Sequence, residues 1–308
     1  MTESRARTER CWALIIPDEI ERRSFISDSR FLVHYTNHIT GILGASEFRM
    51  RNARNMKSDS EEIHFGQKCV NDFLRTRSKE LRTSMNSIFE GAFDELYSVW
   101  ESEFQAQRSM TFVSCFTSHS IDSSGSECHF KRFGAAAIFI DPRFMLDEPS
   151  ILALNLCKVR YGEEKVLENL ERLLDNLNRF GKDFQKLDRG IFISLVRHQL
   201  FLQSIATKSD LFAQEDEWRI VHSPNIFSSA HVQPEQRSFG SKDNEEVYAL
   251  RMERPMGTDK VGLEPANLIR KILIHKEQAN FQDLRREVCS QLMYLRVNAP
   301  VEIVGLPN

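Results

Sequence analysis

The chain has 308 residues, 41% of them hydrophobic, enough to bury the core of one large domain or two modest ones. A formal charge of −3 and a pI near 6.3 give no global pull toward nucleic acid or anionic membrane, so any polyanion contact needs a local patch. Six cysteines without a CxxC pair argue against a disulfide framework or a zinc site, and for reduced thiols in a cytoplasmic protein. The longest uncharged apolar run, Gly134 to Ile140, is too short to span a bilayer, and the charged N-terminus lacks the apolar core of a secretory signal.

Residues 1–28 read as a charged extension with an apolar patch from Trp12 to Ile16 that packs on the domain or on a partner. The remainder, 29–308, reads as a single domain. Phe31 to Thr36 is a short β-type run, followed by a helical turn from Asn37 to Leu43, with Thr36 or Asn37 as its capping side chain. Phe48 to Asn52 alternates apolar and basic residues, as a strand does. From about 60 to 108 the apolar residues recur at three- and four-residue steps without proline, which predicts one or two long amphipathic helices. Strands are expected at Met110 to Thr117 and Ala135 to Ile140, with a Ser/Gly-rich loop at 118–128 between them. Leu156 to Tyr161 is a further strand, and helices follow at Glu163 to Phe184 and Ile191 to Ala206.

Next comes Gln214-Glu215-Asp216-Glu217-Trp218-Arg219-Ile220-Val221-His222, acidic at its start and of strand composition from Trp218 on. If the whole run is a strand, Glu215, Glu217 and Arg219 share one face and Trp218 and Ile220 the other. Such a strand can aim two carboxylates into a cleft, or simply carry surface charge. Residues 225–244 read as a long loop. Val247 to Met252, Ile269 to His275 and Val301 to Val304 are expected strands, with a helix through Phe281, Leu284, Val288 and Leu292. The elements interleave without a regular βαβ rhythm, so the expected class is α+β. There is no GxGxxG, Walker A, HExxH or GxSxG motif.

A set of short motifs, in order, resembles a large, mainly bacterial family of uncharacterised domains whose members look like ADP-ribosyltransferases. Val33-His34-Tyr35-Thr36 is similar to its "hYT" strand, and Arg51 to Gly66 to its "sN…lNDxxExxxG" segment, with Ser58 where Asn is usual. Val113 to Thr117 is similar to "SFS", Lys158 to Tyr161 to "KVxY", and Glu215 to Ile220 to "ExEWR". Residues 127–134 lack the Trp usual there, and His129 and Phe130 stand nearby instead.

The resemblance implies an ADP-ribosyltransferase-like mixed β-sheet core with a long helical insertion at about 60–108. It also implies NAD as the cofactor and a toxin or phage-defence role, with ADP-ribose passed to a nucleic acid, RNA especially, in preference to a protein. A neutralising antitoxin or chaperone partner is implied in the same way. Breaking the nicotinamide bond develops positive charge on the ribose, which a carboxylate stabilises, and Glu217 is the residue chosen for that and for the ribose 2′-OH. Glu215 would orient or deprotonate the acceptor, or act on Glu217 as a like charge. His34 would bond a ribose or be an ordinary strand histidine. Thr36, on the His34 face, would contact nicotinamide, and Tyr35, on the opposite face, would be core if His34 is in the pocket. Phe116 would stack on nicotinamide or pack in the core, and Asn52, Asp59 and Glu62 would brace the region or cap turns. Arg49, Arg51, Arg54 and Lys57 would meet pyrophosphate or a polyanionic acceptor, or lie solvated. The enzyme reading requires His34, Glu215 and Glu217 to line one crevice. The alternatives are a non-catalytic nucleotide- or protein-binding module of the same fold, and an NAD glycohydrolase.

Overall fold

The computed structural model describes residues 3–17, 19–28, 30–55, 60–147, 153–226, 232–238, 244–253, 263–277 and 280–305. In chain order these form α1 (Glu3–Ile15), α2 (Glu19–Ser27), β1 (Arg30–Thr36), α3 (Ile39–Ala45), β2 (Glu47–Asn52), α4 (Ser60–Thr76), α5 (Ser78–Ile88) and α6 (Ala92–Ser109). Then come β3 (Phe112–Ser120), α7 (Glu127–Phe133), β4 (Ala136–Ile140), α8 (Phe144–Asp147), β5 (Leu154–Lys158), β6 (Arg160–Tyr161), α9 (Glu163–Arg179), α10 (Gly181–Phe184) and α11 (Arg189–Ile205). The last part is β7 (Thr207–Lys208), a 3-10 helix (Asp210–Glu215), β8 (Glu217–His222), β9 (Val232–Ser238), β10 (Asn244–Arg251), α12 (Pro265–Leu268), β11 (Ile269–His275), α13 (Phe281–Tyr294) and β12 (Val301–Val304). The class is mixed α+β with a mixed sheet. Among the described residues no helix is long and apolar enough to cross a membrane.

The chain divides into two compact units: Met1–Arg22 with Ala53–Thr111 and Cys157–Gln214, and Arg23–Asn52 with Phe112–Leu156 and Glu215–Asn308. The division therefore falls elsewhere than the boundary near residue 28 that composition suggests.

The first unit is helical. α11 is apolar on most sides and is entered through Asp188, whose carboxylate accepts from the Gly190 and Ile191 N–H groups. Its side chains from Phe192 to Ile205 are almost all buried, as expected of a central helix. α4 approaches α11 closely at Gly66, where a Cβ would stand 1.9 Å from the Ser204 carbonyl oxygen. α9 turns Val166, Leu170, Leu173 and Leu177 inward at helical spacing. The charged N-terminal stretch is helical and packs within this unit: α1 buries Cys11 and Ile15 and stacks Trp12 on His198 of α11. Residues 60–108 form three helices instead of one or two. The breaks fall at Arg77 and at Phe89 to Gly91, where Gly91 takes φ 72.

The second unit is built on a ten-stranded sheet. One path runs β12-β11-β4-β1-β3-β2-β10-β9, and β8 lies between β3 and β5. β1 and β8 pair antiparallel with β3, through Val33↔Thr117 and Thr117↔Glu217. Paired residues share a face, so the register sorts the side chains. Leu32, Phe116, Trp218, Ile220, Phe48 and Met50 fall on the larger apolar core, and Val33 and Tyr35 join Phe130, Phe139 and Leu273 on the other side. The predicted loop at 225–244 contains β9, paired along its length with β10. Its sequence, Val-Gln-Pro-Glu-Gln-Arg-Ser, carries no apolar alternation because it is the outermost strand, held by backbone bonds. The Ser/Gly loop is shorter than expected, since β3 runs on to Ser120 and α7 begins at Glu127.

Candidate functional site

β8 begins at Glu217, two residues later than a single strand through both acids requires. Glu215 closes the 3-10 helix, and Asp216 turns with φ 41, a left-handed conformation unusual outside glycine. That turn is locked by its neighbours. Thr117 Oγ1 donates to the Glu215 carbonyl at 2.8 Å, Ser118 bonds the Asp216 carboxylate, and Arg30 reaches it at 3.3 Å. The two acids thus stay close together, through a turn and not through strand alternation.

Both acids are almost fully buried and each has an arginine. Glu217, 5% exposed, accepts from Nε of the 1% exposed Arg219 at 2.8 Å. Glu215 forms an ion pair with Arg132 of α7. A buried charge is tolerated when it is paired and hydrogen-bonded, and removing one partner is costly. On the opposite side of β8, Trp218 stacks on Phe25 with ring centroids 4.1 Å apart, which fixes the strand against the core.

Tyr35 lies on the acid-bearing face. Its hydroxyl accepts from the Ser126 N–H at 2.9 Å and bonds His119 Nε2 at 3.1 Å. The His129 ring stacks on it at 5.1 Å and Phe130 meets it edge-on at 4.9 Å. Gly125 lets the loop close over this group, because at φ 81 its Cβ would meet Phe130 at 2.7 Å and the Tyr35 hydroxyl at 3.1 Å. Burial pushes the Tyr35 hydroxyl up to about 12 and His119 down to about 4, and it also lowers His129. Both imidazoles are therefore neutral near pH 7. A carbonyl only accepts, so the 3.2 Å contact of His129 Nε2 with the Glu215 carbonyl puts the ring proton on Nε2 and leaves Nδ1 a lone pair.

The structure separates His34 from this group. It shares a face with Leu32, and its Nδ1–H donates to the Cys115 carbonyl at 3.1 Å while its ring lies 5.5 Å from Phe116. Desolvation keeps it neutral. His34 and the two acids therefore do not line one crevice. They lie on opposite sides of the sheet. Thr36, on the His34 side, is 7% exposed and accepts from the His38 N–H at 2.9 Å, while His38 itself is the α3 cap residue. Thr36 also lines a cavity of about 260 Å³ with Asn37, Asn280, Asp283 and Glu287. Phe116 is a core residue, in ring contact with His34 and Phe48.

Asn52 is buried at the end of β2, opposite Phe112. The basic residues are divided. Arg51 pairs with Val113, so it and Arg49 share the face of Glu217 and Tyr35. Arg49 is tied to Glu47 at 3.0 Å and Arg51 is exposed. Arg54 is exposed in the first unit, and Lys57 and Asp59 lie outside the described residues. Sequence reasoning named Arg219 only as sharing the Glu217 face and His129 only as standing near the missing Trp, and did not single out His119 or Arg132. For His119 the signal was present, since it follows Thr117 at a two-residue step and so shares its face.

Compared with protein-family models, with curated proteins and with solved structures, the chain finds no match.

Proposed function

We propose that the protein is an NAD-dependent ADP-ribosyltransferase in a revised form: the requirement that His34 line the crevice with the two acids fails, and the reacting surface is the Glu217 side of the sheet, with Tyr35 there in place of His34. The observation that carries this reading is that Glu217, Thr117, Tyr35 and Arg51 share one face, while Trp218 anchors the same strand in the core behind them. The motifs similar to "hYT" and "ExEWR" are those that supply Tyr35 and Glu217.

The donor chemistry favours this face for a dinucleotide. Exposed Arg51 offers a cation to pyrophosphate, whereas the cavity beside Thr36 carries Asp283 and Glu287, which repel it. Glu217 would hold the ribose 2′-OH and oppose charge developing at the anomeric carbon, its carboxylate aimed by the bond from Arg219 Nε. Glu215, backed by Arg132, would face the acceptor. An RNA or DNA acceptor is the favoured class because Arg49 and Arg51 stand on this face, although Arg49 is partly spent on Glu47. The role is that of a toxin or phage-defence effector with a neutralising protein partner.

A second reading rests on the burial of Glu217 and Arg219: a structural ion pair in a non-catalytic nucleotide- or protein-binding module. Incubation with labelled NAD and separated cellular RNA, DNA and protein distinguishes the two. Transfer predicts label in one fraction, lost with Glu217→Gln. Binding of NAD without label or released nicotinamide leaves the module reading, and nicotinamide release without label indicates a glycohydrolase.

A further inference from the structure

α7 carries a thiol next to a base that is already oriented. Cys128 is exposed. Its Sγ lies 3.5 Å from His129 Nδ1 and 2.9 Å from Ser126 Oγ. The Nε2–H of His129 is committed to the Glu215 carbonyl, so the nitrogen turned toward Cys128 is the unprotonated one. Nucleophile, base and orienting carbonyl are thus in hydrogen-bonding sequence, an arrangement that activates a thiol. The same helix sends Arg132 to the Glu215 carboxylate, so Cys128 is carried by the helix that braces the acid assigned to the acceptor side.

We propose that Cys128 is a nucleophilic thiol that accepts an ADP-ribosyl group in cis; this rests on the transferase reading. The thiol proton passes to His129 Nδ1 and Sγ forms a bond to the anomeric carbon of the nicotinamide ribose. The carbon–nitrogen bond to nicotinamide breaks, its electron pair leaving with the neutral ring, and the proton on His129 passes to water. The products are an S-glycoside on Cys128, nicotinamide and one proton.

The chain holds its own control, since Cys289 on α13 is also exposed. In the full chain at pH 7, iodoacetamide should alkylate Cys128 about tenfold faster than Cys289, and His129→Gln should bring Cys128 down to the Cys289 rate. Equal rates in the unaltered chain overturn the activated thiol. With labelled NAD and no added acceptor, peptide mapping should find the adduct on Cys128, released by mercuric ion and resistant to hydroxylamine. Cys128→Ser should abolish the adduct and, with no acceptor added, the nicotinamide release coupled to it. Nicotinamide release with Cys128 unmodified overturns the cis acceptor and leaves the transferase standing. Absence of nicotinamide release without an acceptor overturns the cis acceptor, and its absence with cellular RNA, DNA and protein added removes the transferase as well.

Discussion

His34 and Tyr35 are consecutive on β1 and serve opposite sides of the sheet: His34 packs against Phe116, and Tyr35 bonds His119 beside the two acids. Their substitutions should therefore separate cleanly. His34→Gln should change ADP-ribose transfer by less than about threefold, since its ring meets core atoms and a backbone carbonyl. Tyr35→Phe should cost about 1–3 kcal/mol in urea unfolding, because it strands the Ser126 N–H and the His119 acceptor, and should depress transfer as well. Loss of transfer in the His34 variant alone would return the reacting surface to the other face.

The Glu217–Arg219 pair divides function from stability. Glu217→Gln keeps an oxygen for the Arg219 Nε–H but leaves that buried guanidinium without its counter-charge, so it should cost stability as well, and transfer should fall roughly 100-fold or more when measured at a temperature where circular dichroism is still native. Arg219→Ala leaves a buried carboxylate without its guanidinium and should destabilise the protein by about 3–5 kcal/mol. Arg219→Lys should restore part of that stability, because the charge remains while the geometry of the bond to Glu217 is lost. Full transfer by Glu217→Gln would mark the pair as structural.

His198 predicts an acid-sensitive helical unit. It is fully buried, bonded by Gln107 and stacked on Trp12, with Arg197 beside it, and burial pushes it down to about 3. Unfolded, it titrates near 6.5, so the unfolded chain binds more protons between those values. Its contribution is complete above about pH 6.5 and is lost as pH falls toward 3. Between pH 7 and 4.5 this amounts to about 2–3 kcal/mol, read as the difference in unfolding free energy. His198→Gln should flatten the slope by that amount, and an unchanged slope would contradict the assignment.

Gly66 permits the contact between α4 and α11 through the absence of a side chain. Gly66→Ala would set a methyl against the Ser204 carbonyl, within a distance no carbon occupies, so the helices must part. A loss on the order of 2–3 kcal/mol is expected in thermal or urea unfolding.

Much of this architecture was legible because it is local. The β-type run from Phe31 to Thr36, the helical spacing from Val166 to Leu177, and the strand composition of Trp218 to His222 each mark an element the chain forms. What escaped depends on pairing. Whether His34 or Tyr35 accompanies Glu217 is decided by Val33↔Thr117↔Glu217, a register set between strands far apart in sequence and reversed by a one-residue slip. Glu215 was placed on a strand because nothing in Gln-Glu-Asp-Glu signals the left-handed turn at Asp216, which Ser118 and Arg30 impose. β9 escaped because an outer strand needs neither apolar alternation nor a full set of donors.

That last strand has a consequence for solubility. Pro234, opposite Tyr248, has no N–H to offer a newcomer, and Glu235 next to it adds a charge. A second molecule trying to extend the sheet there would meet a missing donor beside a carboxylate. The terminus of the sheet is in this way chemically closed to fibrous growth, and replacing Pro234 with valine would open it.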